Sequence, residues 1–574
     1  MLILLALAAI VQPPVPATEP AAIWNAVAAP ATSAYVGTYD YGRRDSIVIV
    51  PGAGASLIAM FLEGKYPLRP AGTDRFINPR GDTIPFVRDG SSQVTGFVES
   101  GVRFARRHGG VPAAVRVLFT PRRDANGDPV LGYRYVAPRQ AGDGISVGTL
   151  LGAGLQNERM ETMVRRVLDG SYPDVHSILL LVRDTLVLEE YFYGTTPDTP
   201  HQLRSATKSI ISLLAGIALS QGLIASDTID AMRALGYPAA NNGGSTIRLR
   251  DLLTMRTGLA CEDWDPASPG NESRMYEQPD WMAFFAGLPR DTTPGTRASY
   301  CSGAALAVGR IIERAAGIAL PAYAQRELFA PLGIQAEDVR WQFRLDSSAP
   351  NDFGQIWLRP RDMAKIGMLV ANGGAWGGRQ VVPGRYIAAA TARHTAIGSR
   401  GYGYLWWHQW FGVQSGGAET RVETVVASGH GGQKIYIVPA FDAVVVFTGG
   451  AYSGLVESAA NDIVAREMLP ALLDTRAERR RSSLPDVSGR RSRGYEVWEL
   501  AGSLAYCSAS VLPETRGASV RNGVWQCDER CLRDLTEIVR AFKVEPRRHP
   551  IRYQTREDAE YEGVHLALRY DKIV

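Results

Sequence analysis

Ser205-Ala206-Thr207-Lys208 sets a hydroxyl and an amine three residues apart at the head of a long apolar run, Ile210 to Ile217. A serine hydroxyl is a poor nucleophile until a base removes its proton. Three residues along a helix is nearly one turn, so Lys208 falls on the same face as Ser205. The free N–H groups at a helix start can face a developing oxyanion. A lysine serves as base only where burial or neighbouring cations make its amine available. Four residues of this kind are too short to specify an enzyme by themselves.

Two further stretches could complete such chemistry. Pro294-Gly295-Thr296-Arg297-Ala298-Ser299-Tyr300-Cys301-Ser302-Gly303 puts a tyrosine in a tight turn before a helix. A phenol there can pass a proton between nucleophile, lysine and leaving group. Ser428-Gly429-His430-Gly431-Gly432-Gln433 runs into a strand, Lys434 to Val438. Glycines let that backbone approach a substrate, and an N–H beside them supplies a second oxyanion donor. Each stretch alone is equally compatible with packing or a plain turn.

The elements that must position these residues follow from hydrophobic periodicity. Helical spacing is expected over Met160 to Leu168, Ser205 to Ser220, Arg250 to Met255, Gly303 to Ala316 and Pro360 to Val370. Ser177 to Tyr193 reads as two strands joined at Arg183-Asp184, and Lys434 to Val438 and Val444 to Phe447 as two more. Strands at both ends of a helical middle predict a sheet assembled from distant segments, an α/β (α+β) domain over 135–470. Before it, short strands such as Tyr35 to Tyr39, Asp45 to Val50, and the hairpin Phe86 to Val98 predict a small all-β module, residues 33–120. Gly52-Ala53-Gly54-Ala55 reads as a turn within it rather than a phosphate cradle. Residues 475–574 open with an Arg-rich tether, and a short helix is expected across Leu532, Leu535, Val539 and Phe542.

Taken together, these motifs are identified as those of the serine β-lactamase/penicillin-binding-protein superfamily. The segment from Tyr135 to Pro470 resembles its class C-like and esterase-like branch through Leu203 to Ser209, Leu252 to Leu259, Pro294-Gly295-Thr296, Leu358 to Lys365 and Gly401 to Trp407. The resemblance implies an antiparallel sheet flanked by helices, with a mostly helical subdomain completing a cleft. It implies Ser205 as the acylated nucleophile, Lys208 as its base partner and Tyr300 as the proton relay. The N–H groups of Ser205 and Gln433 would form the oxyanion hole, with His430, Gly431, Gly432 and Ser302 beside the substrate. The small β module also resembles the accessory domains of such hydrolases.

Two departures steer the substrate. Where β-lactamases of this branch carry Tyr-x-Asn, this chain has Tyr300-Cys301-Ser302, and a serine lacks the paired donor and acceptor of an amide. Where they carry Lys-Thr-Gly it has His430-Gly431-Gly432, exchanging a full positive charge for an imidazole. The His-Gly-Gly-Gln form is similar to that of esterases and 6-aminohexanoate-dimer hydrolases. The expected substrate is therefore a small ester or amide, with a β-lactamase or D,D-peptidase and a catalytically silent binding module as the alternatives.

Composition supports a soluble enzyme and excludes other classes. Of 574 residues 45% are hydrophobic, enough for a sizeable core. Sixty-two Lys+Arg against 58 Asp+Glu leave +4, too mild to call for nucleic acid. Leu2 to Val11 followed by Val15-Pro16-Ala17 reads as a signal peptide over residues 1–17, so an exported, periplasmic or secreted, location is expected. No later apolar run is long enough for a stable membrane span. No H-E-x-x-H occurs, the eight histidines are scattered, and neither metal nor other cofactor is called for. Among the cysteines, Cys507, Cys527 and Cys531 are read as sources of one disulfide, and Cys301 as a small buried filler. Trp406, Trp407 and Trp410 with His408 are equally suited to a substrate wall and to the core.

Overall fold

The computed structural model describes residues 30–475 apart from 42–44, 62–63, 80, 100, 108–110, 112, 238–244, 344–352, 416–417 and 453–457, and four strands beyond 480. Two compact units are present, Met1–Arg479 and Arg480–Val574. The second shows two hairpins, Ala518–Arg521 with Val524–Cys527 and Arg547–Tyr553 with Ala559–His565. The expected signal segment, the Arg-rich tether and the helix around Leu532 lie outside the described residues. So do Cys507 and Cys531.

Alternation of apolar and polar residues builds the first part of the larger unit. In Gly64–Pro70, Gly64, Tyr66 and Leu68 are buried while Pro67, Arg69 and Pro70 face water, the period of two expected of a half-buried strand. Eight such strands between Gly37 and Arg106 close into an antiparallel barrel, with Tyr39 of the first strand opposite Arg106 of the last. Closure removes the edges that an open sheet would expose. Tyr39, Phe86 and Phe97 fill the interior, with ring centroids 5.1 to 6.0 Å apart. The 3-10 helix Ala113–Phe119 lays Val115 and Phe119 against Val48, Val50 and Met60 on the outer wall. Gly54 sits in the left-handed region within the turn before Leu57, as a turn glycine should.

The second part of the larger unit is built on a nine-stranded sheet. Its order is Thr395–Ile397, Arg400–Tyr402, Trp407–Ser415, Ala418–Gly429, Gln433–Val438, Ala443–Gly449, Val175–Val182, Thr185–Tyr191 and Ser146–Val147. All pairs are antiparallel except the last. The hairpin around Arg183-Asp184 thus meets the strands near 440 across more than 250 residues of chain, Leu180 opposite Val445. Val175–Val182, Gln433–Val438 and Ala443–Gly449 are buried along their whole length, which explains their unbroken apolar sequences. Helices Asn157–Leu168 and Pro360–Ala371 present buried apolar faces to the same core. A helical subdomain, including Leu249–Leu253, Glu272–Tyr276, Trp281–Ala286 and Ser302–Ala316, fills the chain between the Ser205 region and the sheet's return. At its centre runs Thr207–Ser220, buried from Thr207 to Ala218, which explains its apolar run from Ile210 to Ala218, interrupted only by Ser212.

Candidate active site

Ser205 stands in a 3-10 turn, Arg204–Ala206, that leads directly into the central helix. Arg204 has φ +52, a left-handed backbone uncommon outside glycine, and such strain concentrates at functional turns. The turn is held from both sides: Leu203 N–H donates to Ile356 O at 2.8 Å, and Ile356 N–H donates to Thr207 Oγ1 at 3.2 Å. The Arg204 guanidinium lies 4.6 Å from the ring centre of Tyr452.

The three-residue spacing does what helix geometry predicts. Lys208 Nζ donates to Ser205 Oγ at 3.0 Å and lies 5.0 Å from the Tyr300 ring centre. Burial works against the charge on Lys208, but Tyr300, Glu272 and Asp263 outweigh it and hold the ammonium above its ordinary pKa. The Tyr300 phenol is pushed up by burial, while Lys208 and the Ser205 hydroxyl pull it back. Lys208 and Tyr300 therefore hold their protons as a pair, and the pair must give up one before it can accept another.

Tyr300 is fixed by its neighbours in the loop. Asp263 N–H donates to Tyr300 O at 2.8 Å, and Ser299 Oγ donates to Cys261 O at 2.6 Å. Cys261 and Cys301 form a disulfide with Cα atoms 5.4 Å apart, so Cys301 is not the lone filler expected from the sequence. Trp264 stacks on the Tyr300 ring at 5.2 Å and Trp407 at 5.5 Å, with Tyr402 edge-on at 6.5 Å. The tryptophan cluster thereby divides. Trp407 belongs to the site wall, Trp406 is core, and Trp410 is 54% exposed under Arg421.

The third motif meets the Ser205 turn at the end of the sheet. A Cβ on Gly429 would lie 2.0 Å from Leu203 O, so the strand end can approach only as glycine. Gly431 and Gly432 have φ +84 and +95, a conformation other residues adopt at a cost. A Cβ on Gly431 would also strike the Tyr452 ring at 2.4 Å. His430 is half-buried, its ring 5.3 Å from Tyr452. The Gln433 side chain is turned into the protein, donating to Gly449 O at 2.6 Å and accepting from Gly449 N–H at 3.2 Å. Ser302 donates its N–H to Asp263 Oδ2 at 2.7 Å and is buried on the wall of a cavity shared with Lys208.

A family model described as Beta-lactamase matches residues 174–461. The chain belongs to the beta-lactamase family. Among curated relatives it is 30% identical over 169 residues to ML-236A carboxylate methylbutanoyltransferase of Penicillium citrinum, and 31% identical over 168 to monacolin J acid methylbutanoyltransferase of Aspergillus terreus. These matches cover 26% of this chain and 40% and 41% of theirs, so they span well under half of either relative. Similar solved structures include a penicillin-binding protein homologue of Pyrococcus abyssi (17% identity, 56% of this chain and 80% of that one, TM-score 0.42). Another is EstCE1, a hydrolase with promiscuous acyltransferase activity (15%, 57% and 99%, 0.43). These are similarities of fold.

In this beta-lactamase-family chain the three motifs come together in space, and two acids beside them escaped the sequence. Asp263, whose N–H bonds Tyr300 O, and Glu272, which lines a cavity with Lys208, come from a loop rich in Pro, Gly and acidic residues. Nothing in that stretch distinguishes an inward acid from a solvated one. Cys261, two residues before Asp263, carried the one usable signal. Among the described residues no group of His, Cys, Asp and Glu is arranged to hold a metal, and no helix is long and apolar enough to cross a membrane.

Proposed function

We propose that this protein is a serine acyl hydrolase that forms an acyl-enzyme at Ser205 on a small ester or amide. The observation that carries this reading is the 3.0 Å contact of Lys208 Nζ with Ser205 Oγ beside the buried Tyr300 ring. Ser205 Oγ attacks the carbonyl carbon while the Lys208–Tyr300 pair, one proton short of its resting state, takes the serine proton. The carbonyl oxygen becomes an oxyanion facing the N–H groups of Ser205 and Gln433. Tyr300 hands the proton to the leaving oxygen or nitrogen, and the acyl group stays on Ser205. Water, its proton accepted by the same pair, then attacks the ester and frees the serine.

A second reading replaces water by an alcohol in that last step, making the reaction an acyl transfer. It is favoured by the names of the curated relatives, both methylbutanoyltransferases. His430-Gly431-Gly432 in place of a lysine-bearing strand supports esters over β-lactams, since no fixed ammonium there meets a ring carboxylate.

The test is intact mass after a fluorophosphonate probe, wild type against Ser205→Ala. A single adduct on the wild type and none on the variant is expected. A folded wild type that gains no adduct defeats the acyl-enzyme reading and leaves the silent binding module. Nitrocefin turnover as fast as that of p-nitrophenyl butyrate would replace the esterase reading by a β-lactamase.

A further inference from the structure

Beside Lys208 lies a feature the proposed chemistry does not use. Asp263 and Glu272 come together across nine residues of loop. Glu272 N–H donates to Asp263 Oδ1 at 3.0 Å and Ser302 N–H to Asp263 Oδ2 at 2.7 Å. The Glu272 carboxylate in turn accepts a hydrogen bond from the Tyr276 hydroxyl. Lys208, Glu272, Tyr276 and Ser302 line one cavity of about 20 Å³, room for about one water. Glu272 thus shares one small cavity with Lys208, and Asp263 adjoins it through Ser302. Lys208 and Asp263 are both buried, where charge–charge interactions are stronger than at a surface.

We propose that Asp263 and Glu272 are positioning residues for the Lys208–Tyr300 pair, their charges setting the pH at which it gives up the proton that activates Ser205. The inference rests on the acyl-enzyme reading above. A simpler role exists for Asp263: its carboxylate caps the helix Ser302–Ala316, whose first residue has no capping side chain at Cys301. A cap alone does not account for Glu272, which bonds no backbone of that helix and turns its carboxylate to the cavity shared with Lys208. The titratable groups around the amine are Tyr300, Tyr276 and the two acids, with Tyr402 behind Tyr300.

The sign of the effect follows from the charges. Both carboxylates favour the protonated amine, so each opposes the proton loss that makes the pair reactive. The active form is the deprotonated pair, and reactivity therefore rises with pH. Removing one negative charge shifts that rise to lower pH. Burial also lifts the Asp263 carboxyl above the usual range, with Glu272 next in effect. On the acid side Asp263 therefore takes a proton, its opposition to proton loss from the pair is relieved, and the limb falls less steeply there.

The experiment follows the rate of fluorophosphonate labelling of the full chain from pH 5 to 10, in wild type, Glu272→Gln and Asp263→Asn. Glutamine keeps an acceptor for Tyr276, and Glu272 is only half-buried, so the first variant leaves the fold intact even where the second does not. The limb is expected to move down by about half a unit or more in Glu272→Gln, about a threefold faster reaction at a pH on the rising limb. An unmoved limb with a uniform fall in rate would make the pair merely structural and overturn the inference. No labelling of wild type at any pH would instead defeat the acyl-enzyme reading, and the two failures are told apart by the adduct on Ser205.

Discussion

Gly429 is where the site is tightest. A side chain there would have to displace the Leu203 carbonyl, which closes the nucleophile turn by accepting from Ala206 N–H. Gly429→Ala should therefore move the turn rather than the strand, because the strand is paired on both sides. We expect at least a tenfold loss of labelling rate and about 1 to 3 kcal/mol of stability, the cost of overpacking a dense site. Labelling kinetics and urea unfolding measure the two separately, and a variant that labels at the wild-type rate would show that the approach of Gly429 is not needed. At this scale the sequence was readable where chemistry is local. Ser205 and Lys208 are one helical turn apart whatever the surroundings, and paired glycines before a strand announce a close backbone approach. Asp263 and Glu272 were not readable, since an acid in a polar loop looks alike whether it faces water or a lysine.

The loop Leu259–Ser302 shows how an element with little regular structure holds a reactive phenol still. Its fixings are the Cys261–Cys301 disulfide, the Asp263–Tyr300 backbone bond, Ser299 on Cys261 O, and the stack of Trp264 on Tyr300. The disulfide spans 40 residues, a loop whose closure is worth about 3 to 4 kcal/mol in the chain-entropy account. Replacing both cysteines by serine should lower the melting temperature and, because Cys301 adjoins Tyr300, slow acyl-enzyme formation more than substrate binding. A drop in kcat at constant KM is the expected pattern; a rise in KM alone would place the effect on substrate binding instead of the relay. Helix and strand positions elsewhere were legible from periodicity, from Pro360–Ala371 to the hairpin around Arg183-Asp184. This loop was not, because its order comes from side chains and a covalent bond rather than from any repeating pattern.

Across the larger unit, the barrel and the catalytic sheet share a buttress. Tyr66 of the barrel stacks on Tyr452 at 6.3 Å, and Tyr452 is buried within the barrel's own cluster of apolar residues. The same ring backs Gly431 and His430, and Gln433 Nε2 reaches its hydroxyl at 3.3 Å. Lys65, next to Tyr66, pairs with Asp174 and lies 4.4 Å from the Tyr193 ring centre. The β module is thus built into the wall behind the turn from Gly429 to Gln433. Tyr66→Ala should cost about 3 to 5 kcal/mol, as for other large buried rings, and lower the labelling rate of Ser205 although Tyr66 belongs to a different layer. Tyr66→Phe, which keeps the stack, should restore the rate. Full activity in a folded Tyr66→Ala protein would reduce the barrel to a passenger. What the sequence determined by itself was everything set by near neighbours: the one-turn spacing of Ser205 and Lys208, the strand and helix periods, the glycine-borne turns and the family they spell. Only the tertiary structure decided the disulfide, the acids facing Lys208 and the tyrosine joining barrel to sheet. Each of these is a contact between residues distant in the chain, and its partner is chosen by the packing of the whole core.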